Sequence, residues 1–174
     1  MKNKIYLSSF ILLIVISTSC KKDPKETCSG YGSSWSVLPS TNPSSGNFGG
    51  ERDITSSVNS FKTNLSNQGV TDGNIKTLIV DKVTIRLPSG FILTDFSSLD
   101  IMINGQKVAT LPNGATGTTQ DFTLTAETNV KPLFFRSAQA GVVSSHTLSF
   151  LATTRKTVAS NISIGIDVHF QTCY

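Results

Sequence analysis

The chain has 174 residues, of which 38% are hydrophobic and 15% charged, with a formal net charge of +4. This length suits a single domain of about 100–200 residues once a leader is removed. The charge is too low for a disordered chain, and the apolar residues are too dispersed for a multi-span membrane protein. The 24 Ser and 21 Thr favour strands and turns over a helical bundle.

At the N-terminus, Lys2 and Lys4 precede an almost unbroken apolar run from Ile5 to Ile16. The run falls short of the roughly 20 residues a membrane-spanning helix needs, so residues 1–19 read as a secretory leader. Ser17-Thr18-Ser19 leads directly into Cys20. The segment resembles a bacterial lipobox, with Ser17 where that family usually has Leu. The resemblance covers about 25 residues and implies an address rather than an activity: cleavage before Cys20, with its sulfur diacylated and its new amine acylated. The alternative is ordinary cleavage after Ser19, leaving a free thiol. Two or more acyl chains, at about 0.8 kcal/mol per buried methylene, make a stable attachment. The start Cys20-Lys21-Lys22-Asp23 is similar to that of Bacteroidota-type outer-membrane lipoproteins, which implies a partner in the membrane itself through acylated Cys20. Whether the periplasmic or the cell-surface face is occupied stays open. Residues 20–27 form a short charged tether, and the folded domain is expected over 28–174.

Three cysteines in an oxidising compartment leave one over. Acylation consumes Cys20, and Cys28 and Cys173 remain as a pair. Two unpaired thiols or an intermolecular bond are the alternatives.

Residues 29–50 hold 17 Gly, Ser, Thr, Asn or Pro among 22 positions. Tyr31, Trp35 and Val37 share one parity, which predicts a first strand around 31–38. Asn42-Pro43 and Gly49-Gly50 mark a mobile loop. Ile54, Val58, Phe61 and Leu65 lie on one face of a helix over 53–68, started by Asp53 or Thr55 and ended by Gly69. From position 74 the period becomes two. Ile75 to Leu87 is β-rich, but its apolar parity shifts between Val80 and Val83, which predicts a bulge near Asp81-Lys82. Leu99, Ile101 and Ile103 alternate, Asn104-Gly105 signals a hairpin, and Val108 to Leu111 returns. After a turn-rich loop from Pro112 to Thr119 come Phe122, Leu124 and Ala126, then Leu148, Phe150 and Ala152. The last strand sets Ile162, Ile164, Ile166, Val168 and Phe170 against Ser163, Gly165, Asp167, His169 and Gln171. Seven or eight short strands and one short helix predict an all-β, antiparallel Ig-like or Greek-key β-sandwich. Residues 72–174 also look like uncharacterised β-sandwich domains that follow lipoboxes in Bacteroidota-type proteins, a resemblance of pattern that carries no catalytic residues. A Cys28–Cys173 bridge would tie the first strand to the last, at a sheet edge.

Candidate chemistry is sparse. His146 shares the parity of Leu148 and Phe150, whereas His169 lies on the polar parity of its strand. In a hairpin of these two strands the imidazoles would face apart, so no shared metal ion is expected. No pair of carboxylates stands out for glycoside hydrolysis, and Asp72-Gly73-Asn74 reads as a turn. No GxSxG elbow, phosphate-binding loop or dinucleotide fingerprint occurs. Scattered basic residues, and a charge that falls to +2 once Lys2 and Lys4 leave with the leader, give no nucleic-acid stripe. The remaining hints of binding are aromatic. Tyr31 and Trp35 would stack on sugar rings if exposed, or Trp35 would fill the core. Phe134 and Phe135 cannot both point inward from one strand, although a helical turn after Lys131-Pro132 would bury both. The expectation is a non-enzymatic, lipid-anchored outer-membrane protein without cofactor or metal. It would act as a binding or scaffolding module, an accessory subunit of an envelope complex with a protein or glycan partner. The alternatives are a carbohydrate-binding module of an uptake system and a structural subunit of a surface fibre or adhesin.

Overall fold

The computed structural model describes residues 27–38, 46–112, 117, 120–135, 145–157 and 163–174. The leader, Cys20 and most of the tether lie outside the described residues, as do residues 39–45, most of the 112–119 loop, and Ile162.

Eight strands form two antiparallel four-stranded sheets: β1 (Cys28–Val37), β2 (Asn47–Asp53), β3 (Thr77–Arg86), β4 (Phe96–Ile103), β5 (Gln106–Thr110), β6 (Asp121–Asn129), β7 (Thr147–Thr154) and β8 (Ile164–Cys173). The sheet orders are β1-β8-β3-β6 and β2-β7-β4-β5. The expected antiparallel sandwich is present. Its connectivity is the double Greek key of a jelly roll, in which every connection but the β4–β5 hairpin crosses between sheets, rather than the strand order of an immunoglobulin domain.

The alternating strands explain the core. Leu78, Val80, Val83 and Ile85 of β3 and Ile164, Ile166, Val168 and Phe170 of β8 meet Leu99, Ile101 and Ile103 of β4 and Leu148, Phe150 and Ala152 of β7, all buried. Each large apolar side chain so buried is worth about 1.5–3 kcal/mol. Between Val80 and Lys82 the register shifts against both neighbours of β3. The one-residue bulge restores inward parity for Val83 and Ile85 and sends both Asp81 and Lys82 to the outer side. Asn104, with φ of 50°, and Gly105, with φ of 78°, make the tight β4–β5 turn.

Helix α1 (Thr55–Asn67) packs Val58, Phe61 and Leu65 inward. The Asp53 carboxylate accepts the Thr55 N–H at 2.7 Å, and Gly69 ends the helix at φ of 76°. A short helical turn, α2 (Lys131–Phe134), follows β6 and has Pro132 in its first turn.

Three local expectations change. Gly49-Gly50 belongs to β2 and pairs with Leu151 and Phe150 instead of marking a loop. A Cβ at Gly50 would stand 2.1 Å from the Leu38 carbonyl oxygen, so glycine there permits close approach of two backbones. Strands β7 and β8 do not form a hairpin but lie in opposite sheets. Thr27, placed in the tether by sequence, exchanges backbone hydrogen bonds with Tyr174 at 3.1 and 3.0 Å and extends the β1–β8 ladder.

Candidate functional site

The residues singled out from sequence separate into three groups. Cys20 lies outside the described residues. Cys28 and Cys173 are joined by a disulfide between directly opposed positions of β1 and β8, which fastens an edge strand to an interior one. The four aromatics form no exposed platform. Trp35 is 7% exposed, and its indole N–H donates to Ser57 Oγ of α1 at 3.2 Å. Tyr31 is half-buried with its ring 5.0 Å from Phe61. Phe134 is buried between Phe170 at 5.5 Å and His146 at 5.3 Å. Phe135 is half-buried beneath the Lys62 ammonium, 5.4 Å from its ring centre. Helix α1 causes this arrangement: it covers the inner face of β1, so Trp35 fills the core, the second of the two placements open to it from sequence, and Tyr31 packs against Phe61.

The two histidines have separate roles. The backbone N–H of His146 donates to Thr55 Oγ1 at 2.7 Å, and its carbonyl accepts from Ile54 at 2.8 Å. Its Nδ1 lies 3.0 Å from Asn104 Nδ2. The Asn104 amide is oriented by the Thr147 N–H, which donates to Asn104 Oδ1 at 2.9 Å. The amide nitrogen therefore donates to Nδ1, and the imidazole proton sits on Nε2. Burial, aided by the charge of Lys62 and opposed by Asp53, holds the His146 pKa below its ordinary value. This histidine joins α1 to the β4–β5 turn and the start of β7.

His169 faces outward. There the rows of sheet β1-β8-β3-β6 align four residues deep: Gly32, His169, Lys82 and Thr125 in one, and Ser34, Asp167, Thr84 and Thr123 in the next. Gly32, Ser34, Lys82, Thr84, Asp167 and His169 of these rows line an open groove of about 370 Å³. The β3 bulge brings Asp81 beside His169, with Oδ1 2.5 Å from Nδ1. On the other side Arg86 Nη2 donates to Asp167 at 2.8 Å and to Ser34 Oγ at 3.1 Å, and Ser34 Oγ also donates to Asp167. Two glycines make room for the larger side chains. A Cβ at Gly30 would lie 2.8 Å from His169 Nε2, and one at Gly165 would lie 3.0 Å from Arg86 Nε. At Gly32 the nearest atom would be His169 Cδ2 at 3.8 Å, which leaves that part of the floor open. Thr84 and Thr123 join hydroxyls at 2.8 Å across the far wall.

No family model, curated protein or solved structure matches the chain.

The groove gathers polar side chains from three strands: Ser34 of β1, Lys82 and Thr84 of β3, and Asp167 and His169 of β8. The Ser34 hydroxyl donates to Asp167 and accepts from Arg86, whereas His169 is held by Asp81 at Nδ1 and turns Nε2 toward Gly30, so no hydrogen bond joins Ser34 to the imidazole as nucleophile to base. No group of three His, Cys, Asp or Glu side chains placed to hold a metal ion occurs among the described residues. Sequence reasoning placed His169 and Asp167 on the polar face but missed the groove. The signal that pointed to it was the parity shift between Val80 and Val83, together with the glycines of β1.

Proposed function

We propose that this chain is a lipid-anchored cell-envelope protein, held at the outer membrane through acylated Cys20, whose jelly-roll domain is a non-enzymatic binding or scaffolding module. The observation that carries the reading is the pairing of Cys28 with Cys173. It leaves Cys20, at the end of the lipobox-like segment, as the one cysteine outside the bridge. No helix among the described residues is long and apolar enough to cross a membrane. The seven Cα-to-Cα steps from Cys20 to Thr27 reach at most about 25 Å. The groove begins four residues along β1 from the bridge, a further distance of roughly 13 Å, so the binding face sits within a few nanometres of the bilayer.

Two experiments test the reading. Cys20→Ser should move the protein from the membrane to the soluble fraction and abolish incorporation of labelled palmitate; unchanged fractionation and no label on the wild type would contradict the anchor. Crosslinking in intact cells followed by purification in mild detergent should recover a partner. Repeated recovery of a lone monomer would contradict the accessory role.

One observation favours a structural subunit as a second reading. Strands β5 and β6 are each paired on one side only, and they flank an open groove of about 290 Å³. Such edges can accept a neighbouring strand. A protein that stays strictly monomeric at high concentration would remove this reading.

A further inference from the structure

The groove on the outer face of the disulfide-bridged sheet has a chemistry that narrows its ligand. We propose, building on the binding-module reading above, that it takes a neutral, hydroxyl-rich ligand: a segment of an uncharged glycan lying across Gly32 between His169 and Asp167.

The balance of donors and acceptors sets the ligand class. Lys82 forms no ion pair among the described residues, so the lining offers a free ammonium. Asp167 receives its hydrogen bonds at Oδ1, from Ser34 and Arg86, and leaves Oδ2 as an acceptor. Asp81 likewise engages His169 through Oδ1. An anionic ligand would meet the Asp167 carboxylate, and a cationic one would meet the Lys82 ammonium, both of which line the groove. A hydroxyl group both donates and accepts, so adjacent hydroxyls on one ring can satisfy Asp167 and Lys82 together. The floor fits the same reading. Gly30 and Gly165 allow the imidazole and the guanidinium to lie down on the sheet, and the open position at Gly32 lets a ligand approach the backbone. The groove is open to solvent rather than enclosed, which suits a passing polymer segment better than a small molecule that must be mostly buried. Without an aromatic platform each site binds weakly, on the order of millimolar.

The test uses the mature lipoprotein in mild detergent. Retention is measured on immobilised mannan, dextran and galactan, and on dextran sulfate. Retention by at least one neutral polymer is expected, with a loss of roughly tenfold or more for Asp167→Asn and Lys82→Met. Gly32→Val, whose side chain would occupy the floor, should also abolish retention, whereas Glu51→Gln on the other sheet should leave it unchanged. Thermal melting of each variant shows that the fold is kept. Failure to bind any neutral polymer, retention by dextran sulfate alone, or groove variants that bind like the wild type would each overturn the proposal. If instead a crosslinked protein partner is recovered and Gly32→Val removes it, the ligand class falls while the binding-module reading stands.

Discussion

Removing the bridge offers a quantitative test of how the termini are joined. Cys28 and Cys173 are 145 residues apart in sequence, and the entropy of closing so long a loop in the unfolded chain makes the link worth up to about 5 kcal/mol. The unfolding entropy of a body of roughly 150 residues is on the order of 0.3 kcal/mol/K, so that loss lowers Tm by about 15 °C. The structure adds a local reason for a large effect: β1 is an edge strand, it carries buried Trp35 and Val37, and the bridge fastens it at the end that joins the tether. Cys28→Ser, Cys173→Ser and the double variant should therefore melt alike, well below the oxidised wild type and close to the reduced one. The assay is thermal unfolding followed by circular dichroism and by fluorescence of Trp35, the only tryptophan. A difference below about 2 °C, set against the about 15 °C expected from loop closure, would refute the reasoning. So would two titratable thiols in the non-reduced folded domain.

The backbone contacts of individual glycines yield a second prediction. Gly50→Ala should destabilise by about 1–3 kcal/mol or more, because its Cβ would meet the Leu38 carbonyl oxygen at 2.1 Å and the Phe150 ring at 2.9 Å. Gly32→Val, whose Cβ would find ordinary contact at 3.8 Å, should be neutral or stabilising when both variants are compared by urea titration, and a large loss there would contradict the open floor. Trp35→Ala should cost about 3–5 kcal/mol as a core truncation, whereas a loss under about 1 kcal/mol would show that this side chain is not packed beneath α1. Stability should also depend on pH through His146. Its folded pKa is depressed below the unfolded value of about 6.5, so its contribution is complete above about pH 6.5 and is lost as pH falls through the lower folded value. Denaturant titrations between pH 8 and 5 should show this decline in the wild type, with a shallower one in His146→Gln; parallel curves would contradict it. Asp95 acts at lower pH. Burial pushes its pKa up, but hydrogen bonds from Lys156 and the Ile92 N–H outweigh this and hold it below the ordinary value. The stability it contributes is present above about pH 3.9 and lost as the carboxylate protonates below that.

Patterns carried by one segment were legible in the sequence. Ile54, Val58, Phe61 and Leu65 specified a helix face, the Val80-to-Val83 parity shift specified a bulge, and Asn104-Gly105 specified a turn. In each case the physics is local: a period or a backbone conformation that few residues tolerate. Partnership between segments was not legible. Period-two alternation says which side chains share a face but not which strand lies alongside, so β7 and β8 looked like a hairpin although a jelly roll puts them in different sheets. Gly49-Gly50 read as a loop because the Leu38 backbone that presses on Gly50 cannot be seen from composition. Trp35 and Tyr31 were on the inner parity from the start, and their exposure turned on whether α1 covered β1. The groove was the least legible feature. Ser34, Lys82 and Asp167 come from three strands whose paired positions lie as far as 133 residues apart, and none is distinctive alone.

Intact-mass spectrometry of the protein extracted from membranes tests the central claim most directly. The anchored-module account predicts a chain beginning at Cys20, heavier by a diacylglyceryl group and an amide-linked acyl chain, and lighter by two hydrogens for the Cys28–Cys173 bridge. A chain that keeps its leader, or one with an unmodified and freely alkylatable thiol at Cys20, would contradict it.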